Sequence, residues 1–180
     1  MGQDAVPPRG LLTPGISQVT YAGIPCADTM DALERAVDLL RDGATAGDVS
    51  GTLHWRDFEG FAARILGSRG FEVTRNLVLT KPRIEIDVAA ERLGCAMIVD
   101  CKHWSADRPS AMAAAARRQA GRAARYADWR GVPAVPVMVA LYGGWRASGV
   151  PVVPVDGLAH FADEFCGGMD GLPVMRPGSR

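Results

Sequence analysis

Apolar residues recur at two different periods along the chain. Between Thr52 and Gly70 they return every three to four residues, which predicts an amphipathic helix that ends near Gly67. After Gly70 the period falls to two, which is typical of half-buried strands. The predicted strands are Phe71–Leu79, Ile84–Ala90 and Cys95–Lys102, with turns at Lys81-Pro82 and Glu91–Gly94. The centre of the chain is therefore predicted to be a helix followed by a three-stranded meander.

The second half alternates helical segments with short apolar ones. An alanine- and arginine-rich stretch predicts a long helix, and the apolar run after it has no polar face, as expected of a strand buried on both sides. The predicted elements are the helix Ser110–Trp129, the strands Ala134–Leu141 and Val150–Val155, and the helix Leu158–Phe165. The order αβββαβ predicts an α/β fold with a central mixed sheet flanked by helices.

The two ends of the chain lack this regularity. Residues 1–27 contain four prolines but no periodicity, and a helix is predicted from Asp28 to about Arg41, with Gly43 ending it. The predicted organisation is an N-terminal tail and helical arm over residues 1–50, one folded domain over 51–166, and a disordered tail over 167–180.

Composition limits the classes of function. The 180 residues carry 20 basic and 20 acidic side chains, which excludes a protein that binds nucleic acid through a basic surface overall. No apolar run approaches the about 20 residues of a membrane-spanning helix, and residues 1–10 lack a secretory signal pattern. We therefore expect a cytoplasmic protein with no membrane partner. The four cysteines lack zinc-binding spacing and are expected to be reduced thiols.

The distribution of charge is more informative than its total. Residues 1–50 hold seven acidic and three basic residues, so the remainder carries seventeen basic against thirteen acidic. Lysine is rare, with Lys81 in a predicted turn and Lys102 two residues after Asp100 at the end of an apolar strand. Lysine can lose its proton when its surroundings lower its pKa, which arginine effectively cannot. Lys102 is therefore a candidate catalytic residue.

The predicted hairpin places three charged residues on one face. If Ala90 pairs with Cys95 across the second turn, paired residue numbers sum to 185 and Glu85 lies opposite Asp100. Because side chains alternate along a strand, Asp87, Asp100 and Lys102 then share one face. The other face is apolar and comprises Ile84, Ile86, Val88, Met97, Val99 and Cys101.

In that pairing Asp87 lies opposite Ile98, so Asp87 and Asp100 are diagonal neighbours about 7–8 Å apart at the backbone. Both carboxylates could close on one hard cation such as Mg²⁺, which prefers oxygen ligands. Lys102 could then orient a water molecule or offset charge in a transition state. The alternative is a solvated hairpin face with ordinary charges. The apolar residues before Asp100 disfavour it, because free charges are costly to bury there.

Three short motifs resemble those of the PD-(D/E)xK nuclease superfamily: Trp55-Arg56-Asp57-Phe58-Glu59 on a helix, Ile86-Asp87 on a strand, and Asp100-Cys101-Lys102 on the next strand. The chain looks most like the branch that holds archaeal-type Holliday junction resolvases and Mrr-type restriction endonuclease domains, over about residues 52–166. Two positions depart from the pattern. Ile86 stands where proline is common, and Asp100 stands where glutamate is more frequent.

The resemblance implies a restriction endonuclease-like fold and a DNA endonuclease of restriction, defence or repair type. The implied cofactor is Mg²⁺, with Mn²⁺ as a substitute, and Lys102 is implied to position the attacking water. The implied catalytic residues are Glu59, Asp87, Asp100 and Lys102, and the implied metal ligands are Asp87, Asp100, Glu59 and the backbone carbonyl of Cys101. Glu59 could instead be a surface acid, and Glu85 could join the metal or pair with an arginine.

A stripe of arginines on the long helix is the candidate DNA-binding surface. Its members recur at helical spacing and could contact phosphates without reading sequence. The alternative is a solvated face turned toward the acidic arm. Gln119 matches a glutamine often seen on this helix in related nucleases, and two residues after the lysine could touch a sugar or base, or pack in a loop. The candidates are Arg118, Gln119, Arg122, Arg125, His103 and Trp104.

Two other functions stay open at this stage. One is a nuclease fold that serves as a non-catalytic DNA-binding or assembly subunit. The other is a nuclease that acts on RNA or on single-stranded ends, with the same site and a different groove. Many proteins of the resembled superfamily work as dimers, so a homodimer or a partner subunit is also an expectation of the resemblance.

Overall fold

The structure is a computed structural model that describes residues 35, 38–39, 42–44, 55–102, 109–141, 143–165 and 167–178. Within these ranges its elements are α1 (Trp55–Ser68), β1 (Glu72–Leu79), β2 (Ile84–Arg92), β3 (Cys95–Lys102), α2 (Pro109–Arg130), β4 (Ala134–Ala140), β5 (Trp145–Ala147), β6 (Val150–Pro154) and α3 (Leu158–Phe165). The predicted strands and the last two predicted helices are present, with bounds within two residues. The expected αβββαβ order is confirmed.

The strands form one mixed sheet in the order β1-β2-β3-β4-β6-β5. The β1-β2-β3 meander is antiparallel, whereas β3, β4 and β6 run parallel to one another. The sequence did not predict β5, a three-residue strand that pairs with β6 across a tight turn at Ser148 and Gly149. Two of its three residues are exposed, so it carries no apolar period to detect.

Helices cover both faces of the sheet. α1 and α3 pack on one face in a cluster that includes Phe58, Leu66 and Phe165, and α2 packs on the other face through Ala123 and Ala127. Every residue of β4 is buried, which explains its continuous apolar run. The alanines of α2 let the helix backbone approach the sheet closely, and this places the polar residues of that helix near the strand ends.

The turn between β2 and β3 is shorter than predicted. Leu93 and Gly94 form it alone, both with positive φ (51° and 76°), so Arg92 pairs with Cys95. Paired residue numbers sum to 187, and the predicted register is therefore wrong by two residues. A shift of two keeps each side chain on its own face. Continued by one residue beyond Val88, the observed register places Asp87 opposite Asp100. The predicted register places Asp87 opposite Ile98, and Asp100 opposite Glu85.

The predicted apolar face also needs a correction, at Asp87. Ile84 and Ile86 pack with the cluster under α2, whereas Val88 packs with the cluster under α1, although strict alternation would place all three together. Asn76, which the β1–β2 register places beside Asp87, has a φ of 50°. The regular alternation of side chains along β2 is therefore interrupted between Ile86 and Val88, and Asp87 lies at the interruption.

Residues 167–178 pack against the domain. Met175 exchanges two backbone hydrogen bonds with Ala134, at 2.8 and 2.9 Å, which adds an isolated bridge beside β4. Met169, Leu172 and Val174 are partly buried against the cluster under α1. The expectation of a disordered tail is therefore wrong for these residues. The segment is rich in glycine and proline, which favours disorder, but its few apolar side chains pack against the domain.

The N-terminal region is described at only a few positions. Arg35, Asp38 and Leu39 are helical, and a turn follows in which Gly43 has a φ of 90°, consistent with the predicted helix end. The other predictions for residues 1–50 concern positions outside the described residues. Among the helices that the structure describes, none has the length and hydropathy needed to cross a membrane.

Candidate active site

The charged residues predicted from the hairpin lie where β2 parts from β3. Asp87 directly precedes Val88, the residue of β2 farthest from the turn that pairs with β3, and Asp100 and Lys102 lie at the end of β3. Glu59 comes from α1, on the face of the sheet that this helix covers. The carboxylates of Asp87, Glu59 and Asp100 all act electrostatically on Cys101, so the three acids gather around one residue of β3.

Asp100 is almost completely buried, with 1% of its surface exposed. Its Oδ1 accepts a hydrogen bond from Arg122 Nη1 at 2.7 Å. Lys102 Nζ lies 3.0 Å from its Oδ2, but without the angles of a hydrogen bond. Two cations therefore share one buried carboxylate, and Oδ2 remains a buried acceptor that has an ion pair and no hydrogen bond.

Asp87 is held by the backbone of the neighbouring strand. The N–H of Cys101 donates a hydrogen bond to Asp87 Oδ2 at 3.0 Å. Burial raises the pKa of Asp87 above its ordinary value of 3.8, and the negative charge of Asp100 raises it further, whereas the Cys101 N–H and the charges of Lys102 and Arg122 lower it in part. The charged form of Asp87 is thus destabilised in the folded protein, which is the situation that an added cation would relieve.

The Cys101 thiol lies in the same environment. Burial raises the pKa of this thiol well above its ordinary value of 9.0, and the charges of Asp87, Glu59 and Asp100 raise it further. A thiol at this position therefore stays protonated at neutral pH. The raised pKa disfavours a nucleophilic role for the thiol, and the backbone carbonyl remains the candidate ligand at this residue.

The two uncertain glutamates lie in different environments. Glu59 has 6% of its surface exposed, so the alternative of a surface helix acid is wrong. Glu85 is exposed, lies opposite Val78 of β1, and forms an ion pair with Arg83. The simpler expectation for Glu85, a salt bridge to a nearby arginine, is confirmed.

The predicted arginine stripe divides into an exposed residue and residues bound to the domain. Arg118 is exposed, whereas Arg122 binds Asp100 and Arg125 donates a hydrogen bond to the backbone carbonyl of Lys81 at 3.0 Å. Gln119 has 1% of its surface exposed and no face available to a nucleic acid in this structure. His103 and Trp104 lie outside the described residues.

Gln119 anchors α2 to the sheet. Its Nε2 donates to the carbonyl of Ile98 at 2.7 Å and lies 3.4 Å from that of Val137, while its Oε1 accepts from Arg122 at 3.3 Å. This chain of contacts from the sheet through Gln119 and Arg122 to Asp100 was not predicted from the sequence. A signal was present, because a glutamine within an alanine-rich helix face must satisfy its amide when that face is buried.

The residues present can be tested against the implied cation. Within the described residues, no group of three or more His, Cys, Asp and Glu side chains has metal-binding geometry. Mg²⁺ does not require such a group, because it keeps several waters and is commonly held by one or two carboxylates. A buried carboxylate oxygen without a hydrogen bond, Asp100 Oδ2, and the neighbouring carboxylate of Asp87 supply hard oxygen donors. This donor set fits an oxygen-liganded divalent cation.

Fold and site together define an α/β protein with an αβββαβ core and a polar site where β2 and β3 part. No protein-family model matches the chain. An uncharacterized protein of Archaeoglobus fulgidus is 33% identical over 115 residues, which cover 61% of this chain and 89% of the archaeal protein. The chain belongs to the same family as this archaeal protein.

Two solved structures are similar to parts of the chain. A protein of unknown function, AF1548, is 21% identical with a TM-score of 0.33, and the match covers 62% of this chain and 54% of that one. The chain thus spans about half the length of this structure. The small subunit R.BspD6I2 of the heterodimeric restriction endonuclease R.BspD6I is 15% identical with a TM-score of 0.42, covering 79% of this chain and 80% of that one.

Proposed function

We propose that the protein is a Mg²⁺-dependent endonuclease that hydrolyses phosphodiester bonds of DNA. The observation that carries the proposal is the buried carboxylate of Asp100 beside Asp87 and Lys102, at the end of an apolar strand. Burial of Asp87 beside Asp100 destabilises the ionised form of Asp87, and such a cost is typical of functional sites. The motif resemblance over residues 52–166 supports the same reading.

In this proposal each residue has a distinct task. Asp87 and Asp100 hold the cation, with Glu59 and the Cys101 carbonyl as further oxygen donors. When bound, Mg²⁺ polarises a phosphate oxygen and neutralises charge that develops on it. Lys102, with 29% of its side chain exposed, reaches solvent at the site and orients the attacking water. Arg118, exposed on α2, contacts the DNA backbone.

The test is a cleavage assay with linear, supercoiled and branched DNA, with single-stranded DNA and RNA, in Mg²⁺ and in EDTA. We expect Lys102→Ala to lose at least about 100-fold in rate, the scale of a lost proton-transfer or water-orienting group. Lys81→Ala is the matched control, because Lys81 is the only other lysine and lies exposed in the β1–β2 turn. Equal cleavage by wild type and Lys102→Ala would contradict the proposal.

A second candidate is a non-catalytic subunit with a nuclease fold. It is favoured by the ion pairs of Asp100 with Arg122 and Lys102, which already balance the buried charge without a cation. Calorimetric titration with Mg²⁺ and Mn²⁺ separates the two candidates. If the protein binds neither cation but still binds DNA, it is the non-catalytic subunit.

A further inference from the structure

The position of Arg122 is fixed by the sheet. Gln119 is buried and is held by the carbonyls of Ile98 and Val137, on two adjacent strands. Its Oε1 accepts a hydrogen bond from Arg122 Nη1, which lies one helical turn further along α2 and also donates to Asp100 Oδ1. Arg122 is therefore a pre-organised group, and its contact with Asp100 is built into the packing of α2 on the sheet.

This contact occupies one carboxylate oxygen of Asp100, the residue whose other oxygen, Oδ2, is the donor proposed for the cation. Asp100 is 1% exposed, and unpaired burial of its charge would be costly, so the guanidinium compensates the carboxylate when no cation is bound. A divalent cation on Oδ2 would lie close to the like charge of Arg122, and a cation held by both carboxylate oxygens would also displace Arg122 from Oδ1. Both effects oppose cation binding, and the 28% exposure of the Arg122 side chain leaves it a route away from the carboxylate.

We propose that Arg122 is a positioning residue that competes with the cation for Asp100. It holds the carboxylate in place in the cation-free protein, and it lowers the affinity of the site for a divalent cation. This inference rests on the proposed function, because it assumes that Asp100 is a ligand. It concerns regulation of the site, since release of Arg122 accompanies loading of the cation.

The experiment is a calorimetric titration of Mg²⁺, and separately of Mn²⁺, into the full chain at fixed ionic strength. We expect Arg122→Ala to bind each cation about tenfold more tightly than wild type, which corresponds to about 1.4 kcal/mol. Arg118→Ala is the matched control, because it removes the same charge from an exposed position of the same helix, one turn earlier. It should change the affinity by no more than about twofold.

Thermal unfolding in EDTA gives a second readout. Arg122→Ala should unfold at a lower temperature than wild type in EDTA, and Mg²⁺ should raise its unfolding temperature by more than that of wild type, because tighter binding stabilises more at the same concentration. If Arg122→Ala does not fold, Arg122→Gln retains a donor for Asp100 without the charge. It should bind the cations more tightly than wild type by about two- to tenfold.

The possible outcomes are distinct. Equal or weaker cation binding by the Arg122 variants, with clear binding by wild type, overturns this inference and leaves the proposed function intact. Absence of binding by wild type and by the variants overturns the proposed function, and the competition falls with it. Tighter binding by Arg122→Ala and by Arg118→Ala alike shows a general effect of charge and also overturns the competition.

Discussion

The backbone N–H of Cys101 donates a hydrogen bond to the carboxylate of Asp87 at 3.0 Å. The paired residues of β2 and β3 run from Arg92 with Cys95 to Val88 with Val99, so this hydrogen bond lies just beyond the last backbone pair. A side chain takes the place of a backbone partner where the strands part. The Asp87 carboxylate, which extends the bonding between the two strands, is thus also one of the acids of the candidate site.

Replacing Asp87 by asparagine should stabilise the protein in EDTA. Burial and the Asp100 charge raise the pKa of Asp87, so the ionised side chain is unfavourable in the folded state. Asparagine removes the charge and can still accept from Cys101. We expect a gain of about 0.5–2 kcal/mol in the free energy of unfolding, typical of substitutions that relieve functional strain. Urea unfolding at pH 7 measures it, and cleavage should be lost.

The pH dependence of this gain has a definite sign. A carboxyl with a raised folded-state pKa binds its proton more tightly when folded, so its destabilising effect grows as pH rises from the ordinary value of 3.8 through the raised one. The advantage of Asp87→Asn should be full above the raised pKa and should vanish below pH 3.8. Glu85→Gln, at an exposed acid of the same strand, is the control. A constant difference across this range would contradict the assignment.

The Cys101 thiol should resist alkylation. Its pKa is raised by burial and by three nearby acids, so little thiolate exists at pH 8, and thiolate is the reactive form. We expect Cys101 in the folded protein to react with iodoacetamide at least about tenfold more slowly than in urea-unfolded protein. Peptide mapping by mass spectrometry separates it from the other cysteines. Equal rates in folded and unfolded protein would show that the thiol is accessible and ionised.

Leu93 offers a stabilising substitution in the β2–β3 turn. It has a φ of 51° and is 81% exposed, so it adopts a left-handed conformation and buries almost nothing. Asparagine tolerates this conformation better, and Asn-Gly is a preferred two-residue hairpin turn. Leu93→Asn should raise the free energy of unfolding by about 0.5–1 kcal/mol. Leu93→Ala is the control and should give no such gain, because alanine meets the same backbone restriction.

Removal of the C-terminal segment should destabilise the domain. Truncation after Cys166 removes the bridge between Met175 and Ala134 and four partly buried apolar side chains. Each such side chain contributes about 1 kcal/mol, so a loss of about 2–4 kcal/mol is expected in chemical denaturation. A chain that ends at Gly178 is the control and should match the full chain. Unchanged stability of the longer truncation would mean that the segment does not hold the fold.

The sequence predicted most of the fold and only part of the site. The period of the apolar residues located the helices and strands, and the alternation of side chains placed Asp100 and Lys102 on the same face of β3. Both patterns depend only on residues close together in the sequence. The partners of Asp100 could not be found in this way. Arg122 reaches it from a helix 22 residues away, and the contact depends on how closely α2 packs against the sheet. Gln119 was singled out by resemblance, but its burial depends on the same packing.

The change of faces at Asp87 was equally beyond sequence reasoning. The prediction from alternation assumes a regular strand. Neither Asn76 nor Asp87 interrupts the apolar pattern strongly enough to show from the sequence that the alternation fails there. The register was missed for a simpler reason. Glu91 and Arg92 are polar, which favours a turn, whereas in the structure they pair with Ala96 and Cys95 at the end of the hairpin.

The two-residue turn at Leu93 and Gly94 sets a parity rule for how this hairpin can change in length. An insertion or deletion of two residues shifts β3 against β2 but returns Asp100 and Lys102 to the same side of the sheet. A change of one residue would turn both toward α1 and would push apolar side chains toward Arg122. Natural variants of this family should therefore differ in this hairpin by even numbers of residues wherever the acid–lysine pair is retained.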